Sequence, residues 1–328
     1  MVESEAPGDV NPRGNPLRGE EFMKLQNPWF KLKGMLNAED AKAVAGLEAV
    51  CTEFDGTVFK LELDYKLGAA AQGRPEDVAL HIDEFMAYEG DRLVGYLGVN
   101  CFGGPGTPPE AMGMVHPDYR KQGIFRALHS LAVSEWRRRG VKTALLLSDG
   151  RSSSGKEFVK TTGAIYHHAE YEMYLRDEAA FAGWPEGGVF FRKATNLDAG
   201  EVARQNAIFF GEELGNGEGE ESEMLLPEVE EQRGMTVYLA ETDGAVVGKV
   251  HLQLIGGLGG IFGLGVLPEH RGKGLGRAIL LEGVRRLRAA GAKEVMLQVA
   301  TENKNALHLY ESCGFKTTST MEYFELTL

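Results

Sequence analysis

The chain has 328 residues, 43% apolar and 25% charged, the balance of an ordinary globular protein, and its length suits two domains of about 150 residues. Its formal net charge of −13 argues against a general nucleic-acid binder, which must neutralise phosphates with Lys and Arg. No apolar run reaches the ~18 residues that would span a membrane, and Met1 to Gly19 holds no apolar signal-peptide core, so a cytoplasmic protein is expected.

In chain order, residues 1–29 open rich in Gly, Pro, Asn and Glu and read as a disordered tail. An opening strand near Phe30 leads to a helix over Asn37 to Val50, with Asn37 as its cap. Glu89 to Gly95 reads as a strand, a tight turn at Gly90-Asp91 and a second strand. A further strand, a Gly-containing loop, a long helix, another strand, a short helix and a final strand complete this unit. Residues 178–187 are Gly- and Pro-rich, as a linker should be. The same order then begins again. Its long helix spans Arg277 to Ala290 and ends at Gly291, and the next strand, Glu294 to Ala300, alternates Val295, Leu297 and Val299 inward. Cys51, Cys101 and Cys313 match no metal or disulfide spacing and are expected to be buried thiols with no metal site.

The recurrence is an internal repeat. Val115 to Ala127 reads VHPDYRKQGIFRA, and Val266 to Ala278 reads VLPEHRGKGLGRA; six of the thirteen positions are identical. The 151-residue offset persists downstream, where Gly140, Lys142 and Gly163 match Gly291, Lys293 and Gly314. Upstream it becomes 153, pairing Glu89 to Gly95 with Thr242 to Gly248. The expected division is therefore 30–177 and 188–328.

The strongest chemical signal is the loop Arg271-Gly272-Lys273-Gly274-Leu275-Gly276, between a strand ending near Val266 and a helix. Such a turn aims backbone N–H groups and a helix dipole at one spot, and its glycines let a diphosphate approach the backbone. It is neither a P-loop nor a dinucleotide fingerprint. The pattern P-x-x-R-x-x-G-x-G (Pro268, Arg271, Gly274, Gly276) resembles the acyl-CoA loop of the GNAT superfamily of N-acetyltransferases. So does N-x-x-A-x-x-L-Y-x-x-x-G-F, carried by Asn303, Ala306, Leu309, Tyr310, Gly314 and Phe315.

The resemblance implies an α/β fold of two tandem GNAT-type domains, each a mixed, splayed central sheet flanked by helices. It also implies acetyl-CoA as co-substrate, with no metal. The pantetheine arm would pair with backbone of Leu264, Gly265 and Val266, and the pyrophosphate would sit on Arg271 to Gly276, Leu275 included. Asn303 would lie beside the pantetheine and also suits a helix N-cap. Tyr310 would act as general acid, protonating the CoA thiolate. The strand Gly259 to Val266 carries no carboxylate for a general base, and Glu302, Glu241 and Glu212 are only candidates. Glu212 to Glu231 holds nine Glu and no Lys or Arg, a stretch that would attract a cationic small-molecule or peptide amine and that also reads as a solvated loop.

The first copy departs from the pattern. Gly276 falls on Phe125, Asn303 on Ser152 and Tyr310 on Val159, so this copy is expected to be catalytically silent. Among superfamily members the layout resembles enzymes that pair two such domains with activity in the second. Their catalytic glutamate would align with Gly260, so their substrate is not carried over. The expected activity is acetyl transfer to a primary amine of a small molecule or peptide. The competing readings are a non-catalytic acyl-CoA-binding regulatory protein and a protein lysine acetyltransferase.

Overall fold

The computed structural model describes residues 23–72, 81–101, 107–178, 189–210 and 226–328. Most of the expected tail, all but the first residue of the expected linker, and residues 212–225 of the acidic stretch lie outside them.

A strand, two helices, three strands, a helix, a strand, a helix and a strand follow one another twice. The first pass comprises β1 (Pro28–Lys33), α1 (Ala38–Asp55), α2 (Leu63–Gln72), β2 (Glu84–Glu89), β3 (Arg92–Asn100), β4 (Glu110–Val115), α3 (Ile124–Arg138), β5 (Thr143–Asp149), α4 (Ser153–Thr162) and β6 (Ile165–Leu175). The second comprises β7 (Phe190–Lys193), α5 (Ala199–Phe210), α6 (Pro227–Gln232), β8 (Met235–Thr242), β9 (Ala245–Ile255), β10 (Leu258–Val266), α7 (Leu275–Ala289), β11 (Glu294–Ala300), α8 (Lys304–Ser312) and β12 (Phe315–Thr327).

Local chemistry sets the boundaries. Asn37 accepts a hydrogen bond from the Asp40 N–H at 2.8 Å and starts α1, which runs on past Val50 until Gly56 (φ +67°) stops it. Strand β1 takes in Pro28 and Trp29, the last two residues assigned above to the tail. Helix α7 begins at Leu275, two residues before its expected start, because the left-handed Gly274 ends the loop there. Cys51 and Cys313 are buried as expected, but Cys101 is exposed, since it follows the last residue of β3 and leaves the sheet.

The twelve strands among the described residues form one sheet in the order β1-β2-β3-β4-β5-β12-β6-β11-β10-β9-β8-β7. The last strand of each half crosses over. Strand β12 pairs with β5, Met321 opposite Asp149, and β6 pairs with β11, Met296 opposite Tyr174. The two exchanged strands also pair with each other from Phe315–Leu175 to Glu325–Ile165. Leu128, Ala132 and Trp136 of α3 and Leu280, Val284 and Leu287 of α7 pack the two main cores on their own halves. On the other face, α1 brings Val44, Leu47 and Cys51 against Met86, Tyr96 and Met112, a core that reaches Met321 and Tyr323 of β12. The matching core under α5 is much smaller among the described residues: Ala194, Val202, Val237 and Leu239. No described helix is long and apolar enough to cross a membrane.

Gly314 sits where the exchanged strands begin to pair. Its φ is +82°, its carbonyl accepts from the Arg176 and Asp177 N–H groups, and an added Cβ would run into the Asp177 carbonyl oxygen. Its repeat mate Gly163 (φ +79°) faces open space. Gly163→Ala should therefore cost only the left-handed backbone, about 1 kcal/mol, and Gly314→Ala about 3 kcal/mol, as read by denaturant unfolding.

Candidate active site

Strands β10 and β11 pair in parallel only from Leu258–Glu294 to Ile261–Leu297. Beyond that point they diverge. Gly259 to Ile261 are buried, whereas Phe262 to Val266 are partly exposed although they belong to a central strand. The expected pantetheine residues Leu264, Gly265 and Val266 therefore lie on the unpaired half of β10, with one edge free of β11. An unpaired strand edge of this kind is a row of donors and acceptors seeking partners.

The loop follows directly. Gly272 (φ +75°) and Gly274 (φ +79°) take left-handed backbone, and a Cβ on Gly272 would meet nothing within 4 Å. Gly274 is the N-cap of α7 and offers no side-chain acceptor, so the first N–H groups of the helix are left for another anion. Arg271 ties the loop to the strand end, its Nε donating to the Val266 carbonyl at 2.9 Å, and Lys273 lies exposed beside it. Leu275 packs inward against the core. Gly276 faces across to α8, where a Cβ would stand 3.3 Å from Leu309 and 3.9 Å from Val266.

Helix α8 supplies the remaining residues. Asn303 caps it, accepting from the Ala306 N–H at 3.1 Å. Tyr310 lies one residue beyond the Leu309 that faces Gly276, is 7% exposed and packs near Phe315, and burial pushes its phenol up to about 12. The candidate bases do not gather here. Glu241 accepts from Arg192 at 2.6 Å on β8, beside the edge strand β7; Glu302 is exposed in the turn before α8; Glu212 lies outside the described residues. Among the described residues no group of three or more His, Cys, Asp or Glu could hold a metal ion.

Beside this strand edge lie two polar side chains, Lys249 and His251, that no sequence motif marks. The β9–β10 ladder pairs Phe262 with His251 and Gly265 with Lys249, leaving a bulge at Gly263 and Leu264. Gly263 is left-handed (φ +53°), and its carbonyl accepts from the Lys249 ammonium at 2.9 Å. Lys249 is 0% exposed, lies 3.1 Å from His251 Nε2 and sits under the rings of Phe209 and Phe210. Phe209 also covers Gly265, where a Cβ would run into its ring. Burial brings Lys249 down to about 7 and, with the help of that lysine, His251 down to about 3. Lys249 and His251 alternate with Val250 and Leu252, a pattern that reads as a solvent-facing side of a strand.

The first half keeps the backbone and fills the space. Lys121 and Gly123 adopt the same left-handed angles (φ +60° and +82°) as Gly272 and Gly274, and β4 and β5 pair only at Glu110–Leu145 and Ala111–Leu146. Phe125, at the position of Gly276, lies over Gly113 of β4, where a Cβ would stand 2.8 Å from Cε2, and packs edge-on against Phe158 at 4.6 Å. Met23 and Leu25 cover the loop, with the Met23 N–H donating to the Asp118 carbonyl at 2.7 Å and Gln122 bridging both residues. Val159 is buried where α8 carries Tyr310.

Residues 206–315 match the model of the acetyltransferase (GNAT) family. The chain is 30% identical over 288 residues to the mycothiol acetyltransferase of Thermobispora bispora, covering 84% of this chain and 92% of that protein. It is 30% identical over 262 residues to the mycothiol acetyltransferase of Streptomyces coelicolor, covering 76% and 80%. Its fold is similar to that of a GCN5-related N-acetyltransferase from Sphaerobacter thermophilus, with a TM-score of 0.67 and 23% identity over 90% of this chain and 95% of that one. A tandem GNAT protein from the clavulanic acid biosynthesis pathway superposes with a TM-score of 0.66 at 19% identity, covering 92% and 98%.

The low pKa of Lys249 makes stability depend on pH. The unfolded chain holds this proton up to the ordinary lysine value of 10.5 and the folded chain only to about 7, so the unfolded state binds more protons between them. Wild-type stability should therefore gain up to about 1.4 kcal/mol per pH unit from this group as pH rises above 7. Lys249→Met should lack that component, seen by comparing denaturant midpoints of the two proteins at pH 7 and pH 9.

Proposed function

As the chain belongs to the GNAT family of acetyltransferases, we propose that it transfers an acetyl group from acetyl-CoA to a primary amine, using the site in its second half. The observation that carries this reading is the contrast between the two halves. The unpaired edge of β10 and the loop Arg271 to Gly276 are open in the second half, while Phe125 and Phe158 fill the matching place in the first. The names of the curated relatives favour a small-molecule acceptor.

In this reading the helix α7 N–H groups, Arg271 and Lys273 hold the diphosphate, and Leu264, Gly265 and Val266 offer backbone to the pantetheine arm. Asn303 borders that arm while capping α8. Bound there, acetyl-CoA supplies a thioester whose C–S bond breaks as the acceptor's N–C bond forms. Tyr310 gives its phenolic proton to the departing sulfur, and the proton that the acceptor nitrogen sheds passes through solvent to restore the phenol. Its raised pKa keeps that proton in place throughout the neutral range, and its upward shift makes the transfer dependent on close positioning.

Calorimetry with acetyl-CoA tests the site. Wild type should bind one molecule, Gly276→Trp should abolish binding by driving an indole toward Leu309, and Phe125→Trp should leave it unchanged. Absence of binding to the wild type would overturn the enzymatic reading. With an acceptor found by an amine screen, Tyr310→Phe should lower kcat about 100-fold and leave the KM for acetyl-CoA within about twofold.

A further inference from the structure

The bulge in β10 is specific to the second half. In the first half the β3–β4 ladder runs without a shift from Gly95–Val115 to Asn100–Glu110. By the 153-residue upstream offset, Lys249 falls on Tyr96. Tyr96 is bound up in a self-contained cluster: its hydroxyl donates to Glu84 at 2.5 Å, and Glu84 is paired with Lys66 at 2.7 Å. Lys249 has no carboxylate partner among the described residues. Its partners are a carbonyl, an imidazole and two aromatic rings. A buried amine kept in such surroundings costs stability, so its position calls for a functional account.

The peptide it holds suggests one. Gly263 and Leu264 have no ladder partner on β9 or on β11. Every peptide bond described is trans, and a trans peptide points its C=O and N–H in opposite directions. Fixing the Gly263 oxygen on Lys249 therefore turns the Leu264 N–H away from Lys249 and leaves it without a ladder bond. Drawing electron density to the carbonyl end makes that N–H a stronger donor. A thioester under attack by an amine develops negative charge on its carbonyl oxygen, and a preorganised donor at that oxygen lowers the barrier.

We propose that Lys249 is a positioning residue for acyl transfer: by donating to the Gly263 carbonyl it fixes the β10 bulge and polarises the Gly263–Leu264 peptide, whose N–H takes the thioester oxygen. The inference rests on the acetyl-CoA site described above. His251, at 3.1 Å, and the rings of Phe209 and Phe210 hold the amine in place. The amine donates to Gly263 in either protonation state. Gly263 has to be glycine, because its backbone is left-handed and a Cβ would come within 3.1 Å of Lys249 Nζ.

The test reads the bound thioester directly and needs no acceptor. Acetyl-CoA carrying a ¹³C carbonyl is bound to wild type, Lys249→Met and Lys249→Gln, and its carbonyl stretch is recorded by isotope-edited infrared spectroscopy. Wild type should shift the band to lower frequency than free acetyl-CoA. Lys249→Met should lose about half of that shift or more, and Lys249→Gln, which keeps a donor without the charge, should fall between. Binding of CoA itself, which has no thioester carbonyl, should stay within about threefold of wild type in both variants. With an acceptor, kcat should fall about tenfold in Lys249→Met, because the lysine acts through the peptide. An unchanged band in both variants would overturn the role of Lys249 and leave the acetyl-CoA site standing. A fall in CoA binding that matches the loss in kcat would reduce Lys249 to a structural role. If Lys249→Met does not fold, the Lys249→Gln band decides. Failure of wild type to bind acetyl-CoA would remove the premise and the inference together.

Discussion

Two parallel strands that stop hydrogen-bonding partway, β10 and β11 after Ile261 and Leu297, impose the condition the rest of the structure answers. Backbone groups that leave a ladder inside a protein must find other partners. The same divergence occurs after Ala111 and Leu146 in the first half, so the gap is a property of the repeated fold and not of one copy. What differs is the occupant. In the first half aromatic side chains and the segment at Met23 and Leu25 close the space. In the second half glycine stands where Phe125 would be, and the strand edge stays accessible.

The exchange of β6 and β12 ties these two outcomes together. Each half has the full set of elements in its own stretch of chain, yet each completes its sheet with a strand from the other. The helix carrying Tyr310 is followed at once by β12, which leaves to pair with β5. The short turn between them, at Gly314, is held by the end of β6 through Arg176 and Asp177. The first half thus braces the segment next to the proposed general acid even though its own gap is closed. Of the two cores on that face, the α1 core is the better filled among the described residues.

Much of this could be read from the sequence because the relevant signals are local. Left-handed backbone at Gly272, Gly274 and Gly163 requires glycine or strain, and Asn37 and Asn303 cap helices from their own side chains. Phe125 at the place of Gly276 is visible in the sequence, but its filling of the gap depends on contacts with Gly113 and Phe158 that only the folded chain brings together. Strand partnership was not legible: the residues of β12 specify an alternating strand equally well whether its neighbour is β5 or β11, because pairing depends on long-range geometry. The boundary at 30–177 and 188–328 divides the chain, while the sheet is divided one strand differently on each side.

Lys249 escaped for a related reason. Its alternation with Val250 and Leu252 puts it on the opposite face of β9 from α7, and a polar residue on that face is ordinarily in water. Whether the face is wet depends on α5, where Phe209 and Phe210 lie over it, some forty residues earlier in the chain. The comparison with Tyr96 then shows what the burial means physically. Where the fold places a hydroxyl at this position, it supplies Glu84 and Lys66 to satisfy it, and the neighbouring ladder is regular. Where it places an amine, the strand itself deforms to offer a carbonyl, and the donor at the other end of that peptide is released. A bulge and a buried lysine that occur together in one half and are both missing from the other, within one repeated fold, are two parts of the same arrangement.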